Sequence, residues 1–152
     1  MLPPVTSRAR IVVCEDGTEY VERFRRFLGE AFDFTPAGDF GAALAACAGA
    51  DGILLDLDFR RTPPERLVDE AGVTSPALDA GTRRRLAQSQ GILVLRALRA
   101  RGVTLPAILF ADLDDAQQAR FLETSLAPLV VAPSSTGLRE IAALVRAWPS
   151  RA

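Results

Sequence analysis

The chain has 152 residues, 49% of them hydrophobic, and a formal net charge of -1. This length and apolar content fit one globular domain with a proper core and exclude a disordered chain, and the near-neutral charge gives no electrostatic case for nucleic-acid binding. Histidine is absent, which removes imidazole triads, His metal sites and phosphohistidine chemistry, and all 18 basic residues are arginine, with no lysine.

Short apolar runs alternate with amphipathic stretches along the chain, the pattern of a parallel sheet covered by helices. Arg10-Ile11-Val12-Val13-Cys14 is continuous and apolar, as expected of a strand buried on both faces. Residues 17–29 are predicted as a helix with Tyr20, Phe24, Phe27 and Leu28 on one face. Residues 32–35 alternate and read as an edge strand. Asp39 is placed to cap an Ala-rich helix over 40–48. Residues 52–55 form the third strand. A helix is expected over 90–101, a fourth strand over 105–110 and a short helix over 112–124. Residues 129–131 are the fifth strand. Ser134 or Ser135 can cap a last helix carrying Leu138, Ile141, Leu144, Val145 and Trp148, with Trp148 past the edge of the core and open to a partner.

Between the third strand and the helix over 90–101 lies a long insertion, about residues 59–89, holding Pro63-Pro64, Gly72, Pro76, Gly81 and Arg83-Arg84-Arg85. Loops this long inside one domain are uncommon and often functional. Residues 64–70 have room for one helical turn or two. The arginine triplet reads as a solvated face or a site for an acidic partner. Residues 62–82 are expected to be dispensable for folding but required for partner binding. No repeat or second domain is visible, so residues 1–152 are expected to form a single domain.

Cys14 and Cys47 lie in apolar surroundings without metal-ligand spacing, as for reduced, buried thiols in a cytoplasmic protein. No apolar run reaches the roughly 18 residues a membrane span needs, and no charged-then-apolar leader opens the chain. Membrane insertion and secretion are therefore not expected.

The chemistry concentrates in three carboxylates. In a doubly wound sheet the carboxyl ends of the strands line one edge, where ligands bind. Glu15 and Asp16 follow the first strand, and Asp56 ends the third. Clustered like charges call for a cation, and hard oxygen donors suit Mg²⁺. A metal-neutralised aspartate can attack a phosphoryl group and form an acyl phosphate. No Gly-rich phosphate loop accompanies them.

These residues resemble those of response-regulator receiver domains. Ile11-Val12-Val13-Cys14-Glu15-Asp16 is similar to the family's first strand and acidic pair, and Asp51 to Asp56 to its phosphoacceptor strand. Residues 91–99 resemble its third helix, and Pro106-Ala107-Ile108-Leu109-Phe110 its fourth strand. The resemblance implies a flavodoxin-like α/β fold, one doubly wound five-stranded parallel sheet, interrupted after the third strand by the insertion. It implies Asp56 as phosphoacceptor, Asp16 as a direct Mg²⁺ ligand, Glu15 as a ligand through water and the backbone carbonyl of Asp58 as a further ligand. Two positions depart from the family. Ala111 stands where it has a hydroxyl residue, and Ala132, before Pro133, where it has lysine.

Losing two donors aimed at a transferring group costs several kcal/mol of transition-state stabilisation in comparable sites, so phosphorylation should be slow and uncoupled from a switch. The leading expectation is a degenerate receiver of a two-component phosphorelay, not an enzyme. Its partner would be a signalling protein, a histidine kinase or a downstream effector. A homodimer could form through a face including Phe121, Leu122, Leu126 and Arg139. The first alternative is an atypical receiver that accepts phosphate on Asp56 with Mg²⁺, Arg60 or Arg61 replacing lysine. The second is an unrelated flavodoxin-like metal-dependent enzyme.

Overall fold

In the computed structural model, which describes residues 8–149, five strands form one parallel sheet in the order β2-β1-β3-β4-β5. The strands are β1 (Ala9–Cys14), β2 (Phe32–Ala37), β3 (Gly52–Asp56), β4 (Ala107–Phe110) and β5 (Leu129–Ala132). The helices are α1 (Glu19–Leu28), α2 (Phe40–Cys47), α3 (Ala80–Gln88), α4 (Gln90–Ala100), α5 (Ala116–Ser125) and α6 (Leu138–Arg146). β1, β3 and β4 are buried along nearly their whole length, which is why each reads as an unbroken apolar run. Alternate residues point to opposite layers. Val12, Cys14, Ile53, Leu55 and Leu109 pack with residues of α2, α3, α4 and α5, whereas Ile11, Val13, Leu54, Ile108 and Phe110 pack with residues of α1 and α6.

Several boundaries differ from the sequence expectation, each for a local reason. α1 starts at Glu19 rather than 17, and Phe27 turns outward, 59% exposed, with the Arg26 guanidinium over its ring. β2 runs on through Pro36 to Ala37, tolerable because β2 is a sheet edge and proline lacks only a donor. α5 starts at Ala116 because the Asp115 side chain accepts from the Gln117 N–H. Neither Ser134 nor Ser135 caps α6. Gly137 precedes it, and Ser134 is bonded to Asp112 instead. Trp148 is partly buried rather than free: its ring lies on Gly52, where any side chain would collide with it.

The stretch after β3 is built into the fold rather than looped out of it. Phe59, Leu67, Val68 and Leu86 are fully buried in the core on the α4 side of the sheet. A single 3₁₀ turn, Pro64–Arg66, precedes Leu67. A tight turn follows, in which Val68 bridges Thr74, Gly72 takes positive φ (75°), and the Asp69 carboxylate accepts from the Ala71 and Val73 N–H groups. Gln90 is 1% exposed and fastens this turn to the helices. Its Oε1 accepts from the Val68 N–H at 2.9 Å, and its Nε2 donates to the carbonyls of Val68 and Leu86. α3, unforeseen in the sequence, is capped by Asp79 and runs into α4 at Ser89. The stretch between β3 and α3 is thus a strap across the core and cannot lose residues 62–82 without opening it.

Arg99 of α4 performs a comparable fastening. Its half-buried guanidinium donates to four backbone carbonyls, those of Leu126, Val103, Leu105 and Pro128. Four carbonyls on two connections are satisfied by one side chain, which a lysine ammonium with three donors cannot match.

Candidate functional site

The carboxyl ends of β1, β3, β4 and β5 open onto one edge of the sheet. Asp56 ends β3 there and is partly buried. Its Oδ1 accepts from the Leu57 N–H at 2.9 Å. Burial pushes its carboxyl upward, the Leu57 N–H opposes this, and the charges of Asp16 and Asp58 add to it. α4 reaches this edge because residue 91 is glycine: a Cβ would collide with the Asp56 carbonyl, and the Gly91 N–H instead donates to Leu57 O at 2.9 Å.

Glu15 is 2% exposed and faces the start of α1. Its two carboxylate oxygens accept from the Tyr20 N–H at 3.1 Å and the Val21 N–H at 2.8 Å. Thr18, at the helix start, makes no side-chain cap, so Glu15 satisfies the first-turn donors in its place and sits favourably at the positive end of the helix. Burial still raises its carboxyl above the usual range, with those two N–H bonds pulling the other way.

Asp16 is held by the strap. The Arg61 N–H donates to one carboxylate oxygen at 2.9 Å and Nη2 to the other at 3.1 Å. The same guanidinium spans both oxygens of Glu19 at 2.6 and 2.9 Å, which with the charge of Arg61 pulls that carboxyl down to about 2. The Asp58 carboxylate accepts from the Arg60 N–H, Nε and Nη2. Ala111 and Ala132 are both buried at the ends of β4 and β5, and the Ala111 N–H donates to Ala132 O at 2.9 Å. Asp112, next along, accepts from both the N–H and the hydroxyl of Ser134, which lowers its carboxyl. Tyr20 stacks on Phe110 at 5.6 Å beside the acidic group, its hydroxyl raised by burial and by Asp56.

Glu15, Asp16, Asp56 and Asp58 thus meet at one edge, but their oxygens are differently engaged. Those of Glu15 face helix donors and those of Asp16 face Arg61. Among the described residues no group of three or more acidic, cysteine or histidine side chains is arranged to hold a metal ion. As arranged, Glu15 and Asp16 offer Mg²⁺ only oxygens already shared with protein donors, a poorer ligand set than free carboxylates.

The fold is that of response-regulator receiver domains. The Francisella response regulator 1452 receiver domain superposes with a TM-score of 0.61 at 19% identity, covering 91% of this chain and 94% of that one. Chemotaxis protein CheY4 of Vibrio cholerae gives 0.64 at 11% identity over 94% and 100%. The BeF3-activated N-terminal receiver domain of Klebsiella pneumoniae RstA gives 0.57 at 20% identity over 91% and 97%. No family model matches the chain, and no curated protein matches it in sequence.

The strand-end carboxylates were legible because a parallel sheet puts strand ends at one edge. The attachment of Glu15 to α1 was not, since it depends on how the helix approaches. No sequence signal points to the Arg61 contact: Gly17 leaves room for it, but the atoms a Cβ would meet there are the mobile ends of Arg61 and Glu19.

Proposed function

We propose that this chain is a degenerate receiver domain of a cytoplasmic two-component system, one that signals by protein–protein contact rather than by a phosphorylation cycle. What supports this most directly is the pair Ala111 and Ala132, buried methyl groups at the two strand ends where a hydroxyl and an ammonium would steady a phosphoryl group. The bond between Asp112 and Ser134 adds to it by tying together the two loops that follow β4 and β5. The partner is a kinase or an effector. A surface suited to it lies between the strap and α3, a groove of about 690 Å³ where Arg60, Arg83 and Arg84 stand over Pro64, Leu78 and Ala87. No carboxylate lines it, which favours an acidic segment. The fold contains no helix, among the described residues, long and apolar enough to cross a membrane.

The test is labelling of Asp56 by a small phosphodonor with Mg²⁺. Wild type should label slowly or not at all, and Ala111→Thr with Ala132→Lys should raise the rate by roughly a hundredfold, the scale for restoring oxyanion donors. Rapid, stoichiometric labelling of wild type would defeat the proposal. It would favour the second reading, an atypical receiver with an arginine in place of lysine, for which one observation speaks: the charge of Arg61 lies close enough to Asp56 to lower its carboxyl. Backbone NMR with a beryllofluoride mimic separates the two, since only a working receiver propagates shifts from Asp56 to β5.

A further inference from the structure

The contact of Arg61 with Asp16 is fixed by its surroundings. Phe59 is wholly buried, and its N–H donates to Ala87 O at 2.9 Å. Thr62 is 4% exposed, its hydroxyl donates to Gly38 O at 3.2 Å, and its N–H donates to Phe59 O at 3.1 Å. Arg60 and Arg61 are therefore the crest of a short bend anchored at both ends, and the crest lies over the acidic loop. Arg60 turns to Asp58 and Arg61 to Asp16 and Glu19. The Asp16 side chain is only 6% exposed beneath it, whereas that of Arg61 is 56% exposed. The glycine at 17 leaves the space through which the guanidinium crosses.

We propose that Arg61 is the resident counter-ion of this edge, occupying Asp16 in place of a divalent cation, so that the pocket balances its charge without metal. An ion pair as open to water as that of Arg61 and Glu19 contributes little to stability. The contact acts on the site instead: a metal at Asp16 would have to share its two oxygens with two donors of one residue while sitting beside a fixed positive charge. This rests on reading the edge as a receiver-type pocket, and it names what controls that pocket.

The experiment is a Mn²⁺ titration of the full chain, read by paramagnetic broadening of the backbone amides of residues 16, 56 and 57. Wild type should show no saturable broadening there, and Arg61→Gln should bind roughly tenfold or more tightly than wild type, the scale on which neighbouring groups tune metal affinity. Glu19→Gln, which loosens the guanidinium while leaving the pocket carboxylates in place, should gain affinity to a lesser degree. Should Arg61→Gln fail to fold by amide dispersion, Glu19→Gln decides alone. Wild type binding Mn²⁺ at these amides as tightly as the folded variants would overturn the proposal, as would variants that gain nothing. The readout is independent of phosphodonor labelling: rapid labelling of wild type defeats the functional proposal whatever Mn²⁺ does, and tight Mn²⁺ binding by wild type with slow labelling defeats only this one.

Discussion

Asp56 is a partly buried carboxylate among other carboxylates, and its ionised form works against folding. Its proton is held to higher pH in the folded chain than in the unfolded one. The stabilisation this gives is fully present below the unfolded value and is lost as pH rises through the folded one, from the ordinary carboxylate range upward. Glu15 has the same sign, because burial raises it too. Glu19, drawn down to about 2, has the opposite sign, and its contribution is lost only as pH falls towards that value. Asp56→Asn keeps the oxygen that accepts from Leu57 and removes the charge. It should raise stability by about 1 kcal/mol at pH 7 in urea unfolding, and the gain should shrink towards pH 4 as the wild-type group takes up its proton. An equal or larger gain at pH 4 would mean that charge is not the cause.

The elements were unequally legible. β1, β3 and β4 stood out because burial on both faces demands unbroken apolar runs. α3 was hidden because only Leu86 and Ala87 face inward, too few for a visible period, while three consecutive arginines read as decoration. What makes it a helix is the Asp79 cap and the junction with α4, features set by the chain around it. The fastenings that hold these elements, Gln90 and Arg99, were invisible because polar residues in amphipathic helices ordinarily face water. Both can be tested. Gln90→Leu leaves the Val68 N–H and carbonyl buried without partners and should cost about 2–3 kcal/mol. Arg99→Ala takes this donor from the carbonyls of Leu126, Val103 and Leu105, while Pro128 O keeps the Ala107 N–H, and should cost a similar or larger amount, about 2–4 kcal/mol, with Arg99→Lys recovering only part. Urea midpoints of both variants within experimental error of wild type would show that these bonds are replaced by water.

At the scale of the whole molecule, a few large apolar side chains stand open beside a closed core, Phe27 and Val73 outside the region expected to pair copies and two others within it. Phe121 on α5 is 64% exposed and Val130 on β5 is 37% exposed, while Leu122 and Leu126 of the same region are buried. The face expected to pair copies of the chain therefore reduces to Phe121 and Val130, with Arg139 exposed nearby in sequence on α6. If a dimer forms, it should use these residues. Phe121→Glu should then shift light-scattering mass from dimer to monomer at high concentration and leave the unfolding midpoint unchanged, since the ring is already in water. A wild-type chain that stays monomeric throughout would assign the surface to a different partner.

A counter-ion carried on the chain differs from one drawn from solution in a way that mass action makes plain. A bound metal obeys its free concentration and can be stripped by a chelator. Arg61 is tethered by its neighbours Phe59 and Thr62, so its local concentration at Asp16 is set by geometry and cannot be diluted. Dialysis and chelation leave this edge as it is. With no metal reservoir to exchange with, the state of the edge carries no record of divalent-cation supply; it answers instead to salt, which screens an exposed ion pair, and to pH through its raised carboxyls.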